Sequence, residues 1–144
     1  MKIIATLLFL IATVIHSSAQ DKAGVERACL DYLEGFYEGD TVKIARSFKH
    51  TLYKIGYWKD KDASAYAFDG QMTYQQAIKY ALDVKAKRNF AKPDAPKKVE
   101  VLDVMDQIAS AKITAWWGVD YLLLSKSDNK WLIEEVLWQG PLKK

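Results

Sequence analysis

The sequence predicts an α+β domain in which three helices from the N-terminal half pack on the concave face of a curved, mainly antiparallel sheet. Three observations predict it. Apolar residues recur at helical spacing between Val25 and Phe36. A capping pattern, Thr73 followed by Gln76, opens another helical stretch. From about residue 98 onward, short runs rich in β-branched and aromatic residues alternate with turn residues. Helices thus gather in one half and strands in the other, the segregation that marks α+β architecture.

The first residues are set apart from the fold. Lys2 precedes an apolar run from Ile3 to Ile15, and the run closes on Ser17, Ser18 and Ala19. A basic residue, a short apolar core and small residues form the pattern of a secretory signal peptide. The run is shorter than the roughly 20 apolar residues a transmembrane helix needs. Residues 1–19 are expected to be a signal peptide cleaved after Ala19, and 20–144 a single domain. The protein is then exported, periplasmic or extracellular, with no membrane insertion after cleavage. Gln20 and Asp21 follow the cleavage site, so no cysteine stands where a lipid anchor would need one.

Each element follows from local chemistry. Val25, Ala28, Cys29, Tyr32, Leu33 and Phe36 form one face of the first helix, opposite Glu26, Arg27, Asp31 and Glu34. Gly39 can end that helix, and Asp40 can cap a short second one through Ile44, Ala45 and Phe48. Extended segments are expected over Leu52–Trp58 and Ala65–Phe68. Thr73 and Gln76 make a capping box for a third helix reaching about Lys87. Pro93 and Pro96 then impose a loop. Strands follow near 98–105, 109–116, 119–126 and 131–138.

Asp128-Asn129 supplies a tight turn between the last two strands, since both residues tolerate left-handed backbone. Counting back in strict alternation places Asp120, Leu122, Leu124, Ile133, Glu135 and Leu137 on one face, and Val119, Tyr121, Leu123, Leu132, Glu134, Val136 and Trp138 on the other. Both faces are rich in apolar residues. A sheet with one wet face would alternate with polar residues, so a second cover is expected beyond the helices, and a homodimer through the sheet supplies it.

Composition narrows the chemistry. A net charge of +3, with basic residues scattered along the chain, gives no nucleic-acid footprint. Cys29 is the sole cysteine and lies on the apolar stripe, so it reads as a core residue. With His50 the one histidine after the leader, no metal-ligand spacing, phosphate-binding glycine loop or nucleophile motif is present, and no metal or cofactor is expected.

Acid–base chemistry is the enzymatic option. A carboxylate in an apolar hollow has a raised pKa and can move protons, and Asp120, Glu135 and His50 are the candidates. The plainer reading makes the two carboxylates surface partners of Lys112, Lys126 or Arg46, and His50 a helix-end cap. For a small organic ligand the candidate contacts are Tyr53, Tyr57, Trp58, Trp116, Asp120 and Leu122. The five tryptophans, Trp58, Trp116, Trp117, Trp131 and Trp138, offer faces on which a flat heterocycle could stack; packing in the core or an interface is their plainer role.

The order of elements, with particular residues, resembles the nuclear transport factor two-like superfamily, a cone-shaped fold of the cystatin-like type, and within it the putative lumazine-binding family. The resemblance covers nearly all of residues 20–144. It rests on Tyr32-Leu33-Glu34-Gly35-Phe36-Tyr37-Glu38-Gly39-Asp40, on His50, on Met72-Thr73, on Ile108-Ala109-Ser110-Ala111-Lys112, on Val119-Asp120-Tyr121-Leu122, and on Lys130-Trp131 through Val136-Leu137-Trp138. Leu123 stands where the family often has His, and Thr51 where it often has Pro. The resemblance implies a pocket between helices and sheet. Two functions are carried forward: an exported small-molecule-binding domain, leaning away from enzymatic activity, whose ligand is a flat heterocycle in an apolar pocket; and an isomerase- or cyclase-like acid–base enzyme using a pocket carboxylate. A structural module with a filled cone is the third.

Overall fold

The computed structural model describes the backbone of residues 2–142 and the side chains of residues 19–142. The side chains of the expected signal peptide, Ala19 excepted, lie outside the described residues. Helix α1 spans Lys2–Glu38, α2 Thr41–Ser47 and α3 Tyr74–Lys87. The strands are β1 (Phe48–Trp58), β2 (Ala67–Met72), β3 (Lys98–Val104), β4 (Ile108–Ala115), β5 (Gly118–Ser127) and β6 (Lys130–Gly140). They form one six-stranded sheet in the order β2-β1-β6-β5-β4-β3. Every pair is antiparallel except β1 with β6, which run parallel at the middle. Three helices on one face of a curved, mostly antiparallel sheet is the expected α+β architecture. Among the described residues, no helix is long and apolar enough to cross a membrane.

Local chemistry sets the elements where it was expected to. Asp40 accepts hydrogen bonds from the backbone N–H groups of Val42 and Lys43 and so caps α2. The Thr73–Gln76 capping box is formed in both directions. Gly39 ends α1 at φ 65°, and a Cβ there would sit 2.6 Å from the backbone nitrogen of Lys85, so α3 can approach only because the position is bare. Phe48 does not extend α2: it is the C-cap and begins β1, so β1 includes His50 and starts earlier than the sequence suggests. β2 lies two residues later than expected at its start and runs on to Met72.

The core lies between α1, α3 and the inner sheet face. Val25, Cys29, Tyr32 and Leu33 of α1 are fully buried, as are Ala77 and Ala81 of α3. On β4 the inner residues are mostly small, Ala109, Ala111 and Ala115 around Ile113. Their short side chains leave room for the aromatic residues that α1 projects toward the sheet.

Asp128 and Asn129 turn the chain at φ 49° and 59°, and Ser127 pairs with Lys130, as the sequence suggests. The register changes beyond that point. Leu124 pairs with Ile133 but Leu123 pairs with Glu135, leaving Glu134 as the extra residue of a bulge. Strict alternation therefore fails along β6. Trp131 and Ile133 face the core on one side of the bulge, Val136 on the other, and Glu135 and Leu137 turn outward. Asp120 pairs with Trp138 rather than Leu137, and Leu122 with Val136 rather than Glu135. The carboxylate of the extra residue, Glu134, accepts from Lys49 and Thr51 of β1 and from Ser125 of β5.

Candidate functional site

The strongest polar feature is buried. Lys54 on β1, Asp120 on β5, Tyr32 on α1 and Trp117 in the β4–β5 turn converge beneath the first helix. Asp120 has no exposed surface, and Lys54 retains 5%. The Tyr32 hydroxyl donates to Asp120 Oδ2 at 2.5 Å, and Lys54 Nζ donates to the same oxygen at 3.2 Å and to Tyr32 Oη at 2.9 Å. Trp117 Nε1 donates to Oδ1 at 2.8 Å. The carboxylate thus accepts from three donors, and no buried side-chain nitrogen or oxygen among the described residues lacks a partner.

Lys54 is also enclosed by aromatic faces. Its Nζ lies 5.0 Å from the ring centre of Trp138, 5.5 Å from Tyr32 and 6.0 Å from Trp117. Ring faces carry negative potential and stabilise a cation, and Asp120 supplies the counter-charge. Burial still lowers the Lys54 pKa, with Asp120 opposing that shift. Burial, reinforced by the neighbouring Asp120 charge, pushes the Tyr32 phenol well above its ordinary value. The phenol therefore serves as a standing donor to the carboxylate.

Local sequence explains how Trp138 reaches this place. On the parallel pair β1–β6, Gly56 pairs with Trp138 and Trp58 pairs with Gly140. A Cβ on Gly56 would come within 2.2 Å of Trp138 Nε1, and one on Gly140 within 2.6 Å of the Trp58 ring. Each indole covers a glycine on the neighbouring strand, and the two rings lie 6.3 Å apart.

The residues singled out from sequence do not form one site. Asp120 and Leu122 are in the core, on the inner face. Glu135 lies on the outer face with half-exposed Tyr53 and Tyr57, so the sheet separates the two carboxylates. Trp58 lies beside Trp138 and donates from Nε1 to Asp60 at 3.1 Å. Trp116, half exposed, packs edge-on against Trp117 in the turn. His50 is exposed and stacks on Tyr74 at 4.4 Å rather than capping α2. Lys54 and Tyr32, which complete the Asp120 cluster, carry no site role in the sequence reading, and Trp117, expected as a stacking face, instead donates to Asp120. An alternation signal existed for Lys54, since it falls between inward-facing Leu52 and Gly56.

The pocket expected under the helices is occupied by side chains. Tyr32, Phe48, Leu122 and Ile133 are fully buried there around the Lys54–Asp120 pair. Tyr32, Lys54, Trp117 and Asp120 line none of five open clefts in the described surface. One, of about 560 Å³, is lined by Tyr57, Tyr121, Leu137 and Trp138, with Lys112 and Gln139 as polar neighbours. Among the described residues, no group of three or more His, Cys, Asp or Glu side chains is placed to hold a metal.

Known structures place this fold. An NTF2-like protein of unknown function from Silicibacter pomeroyi is 17% identical and superposes with a TM-score of 0.61 over 87% of this chain and 96% of its own. One from Shewanella baltica is 20% identical, with a TM-score of 0.60 over 85% and 96%. A third, from Methylobacillus flagellatus, is 21% identical, with a TM-score of 0.61 over 83% and 90%. At these identities the likeness shows the fold alone. No curated protein matches the sequence. The family model described as Putative lumazine-binding matches residues 20–139, almost the whole domain, and the chain belongs to that family, on a nuclear transport factor two-like fold.

Proposed function

We propose that this protein is an exported, non-enzymatic binding domain that takes a flat heterocycle in the open cleft beside Trp138. Family membership supports ligand binding in general. The observation that carries the finer reading is the wall of that cleft, where Tyr57 and Tyr121 of the outer face offer aromatic surface, Trp138 borders one end, and Lys112 and Gln139 offer donors at its edge. A flat ring system with carbonyl oxygens is recognised by that combination of stacking and hydrogen bonding. The cleft volume, about 560 Å³, lies in the range of small-molecule sites.

The acid–base alternative has less support. Both oxygens of Asp120 are engaged by Tyr32, Lys54 and Trp117. Glu135 borders only open clefts on the outer face. Export remains part of the proposal, with cleavage after Ala19; the anchoring of Asp21 by Lys126 and Trp131 supports an ordered domain that begins just beyond that point.

A second copy is proposed to cover the other end of the outer face, where Tyr53, Leu102, Ile108 and Leu123 are each roughly half exposed. A contiguous apolar surface of this kind on a sheet is a protein interface in waiting.

Isothermal titration of the purified protein with lumazine, riboflavin and a non-aromatic carbonyl control tests the ligand. Lumazine or riboflavin should bind and the control should not, and Trp138→Ala should weaken binding about tenfold, the scale of one lost aromatic contact. Absence of binding by both heterocycles, or undiminished binding by Trp138→Ala, refutes the proposed site.

A further inference from the structure

We infer that the cleft between the second half of α1, α2 and the β5–β6 turn is a binding site for a small multivalent oxyanion, separate from the Trp138 cleft. It measures about 660 Å³ and is lined by Arg27, Ala28, Asp31, Arg46, Lys126 and Lys130, among others. Trp131 and Gly24 contribute apolar wall, and Gly24 is bare where a Cβ would meet the Trp131 ring at 2.7 Å.

Its donors are held in place by a buried carboxylate. Asp31 is 3% exposed, yet it receives two guanidinium groups. Arg46 engages it through Nε at 2.5 Å and Nη2 at 2.6 Å, and Arg27 through Nη2 at 2.8 Å. Both arginine side chains remain about half exposed, at 52% and 50%. A guanidinium has five N–H donors in a rigid fork. Asp31 accepts two from Arg46 and ion-pairs with Arg27 Nη2, which donates to Glu34 at 3.1 Å. The remaining N–H groups are available to a ligand in the cleft. Two side chains from different helices are thus held side by side, which lowers the entropic cost of engaging an incoming anion.

The opposite wall is also basic. Lys126 pairs with Asp21, whose carboxylate also accepts from Trp131 Nε1 at 3.1 Å. Lys130 makes no ion pair among the described residues. Four cations and two carboxylates line the cleft, an excess of two positive charges. Phosphate and carboxylate groups share the geometry a guanidinium fork recognises, and a ligand carrying two or more such charges matches the excess.

Calorimetric titration of the purified protein at low ionic strength, with inorganic phosphate and with citrate in separate arms, tests the site. At least one should bind, with affinity that falls as salt is added, and the arm that binds identifies phosphate or carboxylate chemistry. In a nitrogen–proton spectrum the Trp131 indole resonance should move while those of Trp58, Trp116 and Trp138 stay. The pair Arg27→Gln and Lys130→Gln leaves Asp31 paired with Arg46 and should weaken binding about tenfold or more, the scale of one lost charge-assisted hydrogen bond. If that variant is misfolded, Lys130→Gln alone serves, with a smaller loss. The inference is overturned if neither anion binds, if binding leaves the Trp131 resonance in place, if the folded variants bind like the parent, or if only anionic phosphatidylglycerol vesicles bind. Loss of heterocycle binding at Trp138 has no bearing on any of these outcomes.

Discussion

Tyr32 on α1 and Asp120 on β5, 88 residues apart in sequence, are joined by a hydrogen bond of 2.5 Å in a position closed to solvent. The bond ties the first helix to the middle of the sheet, and Lys54 completes it by donating to both partners. Stability of the domain depends on these three groups staying together.

Asp120→Asn is the sharpest probe of that dependence. It removes the counter-charge of a buried ammonium while keeping the side chain's shape, and breaking one partner of such a pair costs about 3–5 kcal/mol. Lys54→Met should cost less, because Tyr32 and Trp117 still donate to Asp120. Denaturant unfolding of both variants checks the order; equal losses would mean that the ion pair contributes little.

Alkaline pH should expose the buried groups. Burial, with a smaller push from Glu26, raises the Cys29 thiol from 9.0 to about 12, so the folded state keeps a proton that the unfolded chain releases. That stability is full below pH 9 and is lost as pH rises toward 12. Tyr32, raised by burial and by Asp120, acts in the same direction above pH 10. Lys54, lowered by burial, acts oppositely and adds stability as pH rises toward 10.5. Cys29→Ala should therefore flatten the loss of stability between pH 9 and 12, and Lys54→Met should steepen the alkaline profile. Urea midpoints across that range check both slopes.

Gly56→Ala should displace Trp138, since the new Cβ would lie 2.2 Å from the indole nitrogen. Overpacking of this kind costs about 1–3 kcal/mol. The indole would leave both Lys54 and the Trp138 cleft, so heterocycle affinity should fall together with stability. A crystal structure of the variant, or calorimetry with riboflavin, shows whether it does.

Leu123→Glu addresses the outer face. Leu123 is 54% exposed, so a carboxylate there costs the monomer no more than about 1 kcal/mol of repulsion from Glu135 opposite it, whereas a dimer packed on that face would bury both charges unpaired. Light scattering should find the parent dimeric and the variant monomeric, with unchanged circular dichroism. A monomeric parent would remove the dimer from the account.

Much of the fold was legible because its signals are local. The stripe from Val25 to Phe36, the Asp40 cap, the Thr73–Gln76 box and the Asp128-Asn129 turn each act within a few residues. The sidedness of β6 was not legible, because the partners of the bulged Glu134, Lys49 and Thr51, are remote in sequence. For the same reason Asp120 and Glu135 looked like neighbours although the sheet divides them. Lys54 escaped notice because a lysine ordinarily stays in water. Its burial is made tolerable by an aspartate on another strand and by rings from α1, the β4–β5 turn and β6. His50 was placed at a helix end that the chain has already left by Phe48.

The parallel pairing of β1 with β6 governs when this protein can fold. β1, made early, finds its central neighbour only in β6, Lys130–Gly140, after β2, α3, β3, β4 and β5 have intervened. Until then the nascent polypeptide has neither its sheet centre nor the aspartate that answers Lys54. Such long-range closure delays folding until β6 is available and leaves apolar segments open to chaperones meanwhile. A premature stop just before Trp131 should yield no folded remnant, only a fragment destined for proteolysis.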